Sequence, residues 1–116
     1  MVLIHRVYRD LDVELPTEYE DLKLKTYLKD YQANPYECQI KLMGLIRSLG
    51  KKSSVKYPKR GDLLLVSQSG GKIVKPGWLA AIYTGKSEAM ASFIETGVSM
   101  FKLDRHNRAI MARTII

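Results

Sequence analysis

Residues 34–50 spell out both ends of a helix, and this segment limits what the chain can fold into more than any other. Asn34 offers a side-chain oxygen to the first unpaired N–H groups. Pro35 takes the first helical position, where its missing N–H is no loss, and Glu37 puts an acid in the first turn. Leu42, Leu45, Ile46 and Leu49 then recur at i, i+3, i+4 and i+7 as one apolar stripe, and Gly50 supplies the stop. Gly44 costs this helix about 1 kcal/mol relative to alanine, which marks a place where another element comes close. A helix with one apolar stripe has to bury it against a second layer.

The chain after residue 61 has the texture of that layer. Leu63-Leu64-Leu65-Val66 reads as a short apolar strand, Ser69-Gly70-Gly71 as a turn, and Pro76-Gly77 as a second turn leading into a strand from Trp78 to Tyr83. Val98–Leu103 and Ala109–Ile115 are predicted to form a hairpin around Asp104-Arg105-His106-Asn107-Arg108. Residues 85–97 read two ways, as a helix capped by Ser87 and running to Ile94 or as a strand over Ala89–Glu95. Their Ala, Met and Glu content favours the helix.

Before residue 34 the pattern is mixed. Val2–Tyr8 is rich in β-branched and aromatic types and reads as a strand. Residues 10–15 alternate strictly, with Asp10, Asp12 and Glu14 on one side and Leu11, Val13 and Leu15 on the other, as in a strand with one wet face. The two runs make either a hairpin turning at Arg9-Asp10 or one long bent strand. A helix is predicted from Pro16, with Glu18, Glu20 and Asp21 in its first turn and Leu24, Tyr27, Leu28 and Tyr31 as its stripe. It ends near Ala33, because Asn34 precedes a proline and avoids the α region.

The expected fold class is therefore α+β: an N-terminal strand or hairpin, two consecutive helices, then an antiparallel β-sheet in the C-terminal half. Residues 1–116 are expected to form one domain, with 51–61 an exposed basic connector between the helical and β parts. Leu42, Leu45, Ile46, Leu65, Trp78, Ile82, Phe93 and Ile110 are the expected core.

Charge is distributed unevenly along this frame. Residues 1–50 carry seven Lys/Arg against eight Asp/Glu, a net of −1, whereas residues 51–116 carry twelve against four, a net of +8. A basic field over half of a small protein suits an anionic partner. Cys38 is the one cysteine, so no internal disulfide forms, and a reducing, cytoplasmic setting is expected. The apolar run at Met1–Ile4 is broken at once by charge and lacks the pattern of a signal peptide; nothing approaches the roughly 20 apolar residues of a membrane span.

Most catalytic chemistries find no footing in this pattern. Gly44 and Gly50-Lys51-Lys52-Ser53 have the wrong spacing and setting for a phosphate-binding loop, which needs a strand before it and a helix after. Ser53-x-x-Lys56 and Ser69-x-x-Lys72 are spacings common by chance, without the further motifs of serine enzymes that use them. Cys38, one turn into its helix, reads as a small core residue. His5, His106 and Cys38 are scattered, so no metal or cofactor site is expected.

What remains is a basic, partly aromatic surface: Lys51, Lys52, Lys56, Tyr57, Lys59 and Arg60 in one stretch, Lys72 and Lys75 beside the next turn, and Arg105, His106 and Arg108 in a third. These residues point to non-enzymatic binding of nucleic acid or another polyanion, with cations on phosphates and Tyr57 or Trp78 available to stack on a base. The 51–60 stretch is the expected main contact. Two rival readings are a self-associating, homo-oligomeric structural or adaptor protein of viral type, using the same patch on acidic membranes or proteins, and a small metal-dependent nuclease or hydrolase using Asp10, Asp12 and Glu14.

Overall fold

The computed structural model describes residues 2–16, 18–19, 22–23, 27–68, 78–93 and 97–116. Helix α1 (Val2–Asp10) is followed by a two-residue antiparallel pair, β1 (Glu18–Tyr19) and β2 (Leu22–Lys23), and by helices α2 (Tyr27–Ala33) and α3 (Pro35–Ser48). Then come β3 (Lys51–Lys52), β4 (Leu63–Gln68), β5 (Trp78–Gly85), β6 (Glu88–Phe93), β7 (Gly97–Lys102) and β8 (Asn107–Thr114). Strands β3 to β8 form one antiparallel sheet in the spatial order β3-β8-β4-β5-β6-β7. The class is α+β, with the sheet in the C-terminal half.

Helix α3 forms as its sequence dictates. The Asn34 side-chain oxygen accepts the Glu37 N–H while its amide nitrogen donates to the Glu37 carboxylate at 2.7 Å, a reciprocal cap. Glu37 also pairs with Lys41 one turn on. Leu42, Leu45, Ile46 and Leu49 are buried, and Gly50 takes a left-handed φ of 53°. No side chain fits at Gly50, since a Cβ would lie 2.2 Å from the Thr114 carbonyl oxygen. The close approach expected at Gly44 is that of Tyr19, whose ring would stand 3.0 Å from an added Cβ.

The N-terminal strand or hairpin is not formed. Val2–Asp10 is helical because Ile4, Val7 and Tyr8 recur at i, i+3 and i+4 and pack into the core beside α3; this tertiary burial overrides the β preference of the local residues. The chain then turns at Leu11-Asp12, with Val13 N–H closing back on the Tyr8 carbonyl, so residues 10–15 are not a strand. The helix predicted from Pro16 is confined to Tyr27–Ala33. Glu18–Tyr19 and Leu22–Lys23 pair in β fashion, which delivers Tyr19 to Gly44. Leu24 lies outside the described residues.

In the sheet, residues 88–93 are a strand and not a helix. Ala89 and Ala91 are both buried with Met90 facing the other way, a period of two hidden by three good helix formers. The expected β7–β8 hairpin is also absent: β7 pairs with β6, and β8 lies between β3 and β4. Ile110 is 38% exposed because it is the extra residue of a bulge, where the register steps from Leu65 opposite Met111 to Val66 opposite Ala109. Trp78 packs at the edge of the core, and the Phe93 side chain lies outside what is described. The turns at Ser69-Gly70-Gly71 and Pro76-Gly77 are likewise outside the described residues.

The connection from β7 to β8 requires the sheet to curl. Three strands separate the two, about 19 Å if the sheet were flat, whereas four residues join Lys102 to Asn107 and span at most roughly 18 Å when fully extended. These four residues form a turn, so the sheet's ends must bend toward each other. Leu63, Leu65, Ala80 and Ile82 face the helices, while Leu64, Val66, Ala81, Ala89, Ala91 and Ala112 fill the inside of the curl. Strands β4 and β5 are thus buried on both faces, which is why Leu63–Val66 shows no alternation. Alanine dominates the inner cluster because closely opposed strands leave little room.

Candidate nucleic-acid interface

Residues 53–62 are ordered around one carboxylate. Asp62 is 1% exposed; its Oδ2 accepts the Ser53 hydroxyl at 2.6 Å and the Lys59 N–H at 2.9 Å, and its Oδ1 accepts the Thr114 hydroxyl at 2.9 Å. Backbone bonds continue the anchorage: Gly61 N–H to the Tyr83 carbonyl, Tyr83 N–H to the Asp62 carbonyl, and Ser53 N–H to the Ala112 carbonyl. From below, the Tyr8 hydroxyl donates to the Gly61 carbonyl at 2.6 Å. Burial, reinforced by the charge of Asp62, pushes the Tyr8 phenol well above its ordinary pKa and keeps it a donor. The loop therefore uses its one neighbouring acid on hydroxyls and backbone, which leaves its lysines outward.

Lys56, Tyr57, Lys59 and Arg60 are exposed on this loop, with the Lys56 ammonium 5.6 Å from the centre of the Tyr57 ring. The Tyr57 N–H bonds the Ser54 hydroxyl, and Arg60 Nε donates to the Thr84 carbonyl at the end of β5. Among the described residues no carboxylate lies at ion-pair distance from Lys56, Lys59 or Arg108. Lys51 and Lys52 are exposed too, but they belong to strand β3, opposite Thr114 and Arg113, and not to a connector. Lys72 and Lys75 lie outside the described residues.

The turn between β7 and β8 is built on Asp104, whose Oδ1 accepts the N–H groups of His106 at 2.8 Å and Asn107 at 3.1 Å. Those two bonds, the His106 one foremost, hold its carboxyl below the usual range, so the turn keeps its charge above that range and loses it only as pH falls further. Arg105 donates to His106 Nε2 across the turn's exposed side. Leu103 N–H reaches the Ser87 carbonyl at 2.7 Å and ties this turn to the β5–β6 hairpin.

These pieces enclose a concavity of about 200 Å³. Lys56 from the 53–62 loop and Arg108 from the start of β8 both line it, so two of the three basic segments meet there. Its floor is apolar, with Val55, Pro58, Leu103 and Ala109, and Ser87, Asp104 and Asn107 add polar groups beside Tyr83. Sequence reasoning missed Ser87, Tyr83, Asp104 and Asn107. The Asp104-x-x-Asn107 spacing was a readable turn signal, but nothing local connects Ser87 to Leu103.

The β5–β6 hairpin beside the concavity is strained. Lys86 and Ser87 have φ of 52° and 60°, and Gly85 opposes Glu88, which defines a two-residue type I′ turn. Neither lysine nor serine favours that conformation. The Ser87 N–H bond to the Tyr83 hydroxyl and the Thr84 hydroxyl bond to the Glu88 carbonyl brace it.

Other chemistry is not assembled. Asp10 ends α1 and Asp12 occupies a left-handed turn, so Asp10, Asp12 and Glu14 do not share a strand face. Among the described residues no three His, Cys, Asp or Glu cluster as metal ligands. Cys38 is buried, and burial, followed by the nearby charge of Asp30, raises its thiol pKa, the opposite of an activated nucleophile. His5 uses Nε2 to donate to the Leu15 carbonyl at 3.0 Å. No helix among the described residues is long and apolar enough to cross a membrane. Compared with known proteins, the chain matches no family model, and no curated protein matches it significantly.

Proposed function

We propose that this protein binds nucleic acid through its phosphates, without catalysis, using the surface where the 53–62 loop meets the β7–β8 turn. The observation that carries this reading is the concavity lined by both Lys56 and Arg108, flanked by Lys59, Arg60 and Arg105 on the same two segments. Cations fixed on a braced loop lose less freedom on binding than cations on a loose one. Lys51 and Lys52 on β3 extend the basic surface of the C-terminal half, and Lys72 and Lys75 complete the set.

Salt titration of binding to a labelled oligonucleotide tests the reading. Affinity is expected to fall linearly in log–log form, with a slope of roughly −0.7 per phosphate neutralised on a single strand. The Lys56→Glu/Arg108→Glu double variant should weaken binding and reduce the slope by roughly one per charge removed. Binding that ignores salt, or a double variant that binds like the parent, refutes it.

A further inference from the structure

We infer that the concavity seats a single unpaired base, with Lys56 and Arg108 on the adjoining phosphates and Tyr57 stacked at the rim; this rests on the phosphate-binding reading above and narrows it to single-stranded nucleic acid. Tyr57 is 74% exposed, in a loop otherwise held by eight or so polar bonds, so its ring is presented outward without contributing to the core. Its two sequence neighbours, Lys56 and Pro58, both line the concavity, which sets the ring at the edge. An exposed aromatic beside a cation is the pairing that takes a base face and its phosphate together.

The lining decides which part of a nucleotide goes inside. Val55, Pro58, Leu103 and Ala109 give an apolar floor, and the Asp104 carboxylate beside them repels phosphate. A base is favoured there and a phosphate is not, so phosphates stay on the cationic rim. The volume, about 200 Å³, falls below the several hundred Å³ of a drug-sized ligand site and suits one planar ring system. In a duplex every base is paired and stacked inside, leaving only phosphates to meet this surface.

The test compares a short single-stranded oligonucleotide with an abasic strand carrying the same number of phosphates, and with the duplex, by fluorescence anisotropy at fixed salt. Removing the bases is expected to weaken binding roughly 5- to 100-fold, the range for one stacked base. Tyr57→Ala should cause a similar loss on the base-bearing strand and none on the abasic one, while Tyr57→Phe retains affinity. Equal, salt-dependent binding of abasic and base-bearing strands would overturn the base site and leave phosphate binding intact. If no strand binds in a salt-dependent way, both readings fall.

Discussion

The residue that matters most to the candidate interface carries no positive charge. Asp62 is the single acid between Lys51 and Ser87, and the fold buries it under the loop it organises. Removing its carboxylate strands two hydroxyls and a backbone N–H, each costing about 1 kcal/mol or more when left without a partner. Asp62→Ala is therefore expected to lower stability by about 3 kcal/mol, read as a shift of the urea midpoint at unchanged slope. Arg113 is a parallel case among the cations. It donates to the carbonyls of Leu49 at 2.6 Å and Gly50 at 3.0 Å, capping the end of α3, so its charge serves the fold.

At the scale of elements, the β5–β6 turn offers a direct measure of stored strain. Lys86→Asn with Ser87→Gly installs the residues that a type I′ turn prefers and keeps both backbone N–H groups. The pair should raise stability by about 1–2 kcal/mol, seen as a higher thermal midpoint, given the cost of left-handed conformations for ordinary residues. Elements were legible in the sequence in proportion to how local their causes are. Helix α3 was readable because Asn34, Pro35, Glu37 and Gly50 act within their own turns. Strands β4 and β5 were readable as apolar runs bounded by turns. Helix α1 was not, since Ile4 and Tyr8 owe their helical state to partners such as Leu42 and Gly61, distant in sequence. Strand β6 was hidden by alanines chosen for the narrow interior of the curl. Of the candidate site, the cations were visible in advance; the turn that meets them was not, because only the curl brings Ser87 to Leu103.

At the scale of the whole molecule, burial on two faces sets a gradient of stability across the sheet. Strands β4 and β5 lie between the helical layer and the inner alanine cluster, whereas β7 is an edge with Val98 and Met100 exposed. Amide hydrogen exchange is expected to be slowest in Leu63–Val66 and Ala80–Ile82 and faster by orders of magnitude in Gly97–Lys102. Uniform protection along all strands would contradict the curled arrangement. The candidate interface joins the two regimes, since one side hangs from β4 through Asp62 and the other from the end of β7.

Strand β8 follows every other described strand in the chain, yet its place is between β3 and β4. During synthesis, then, the exposed ladder of β4 stays open until residues near 107–114 have left the ribosome. Any pause before that point leaves a nascent protein with an unpaired Leu-Leu-Leu-Val edge, and holding that edge apart from its neighbours becomes a task for the cell's chaperones.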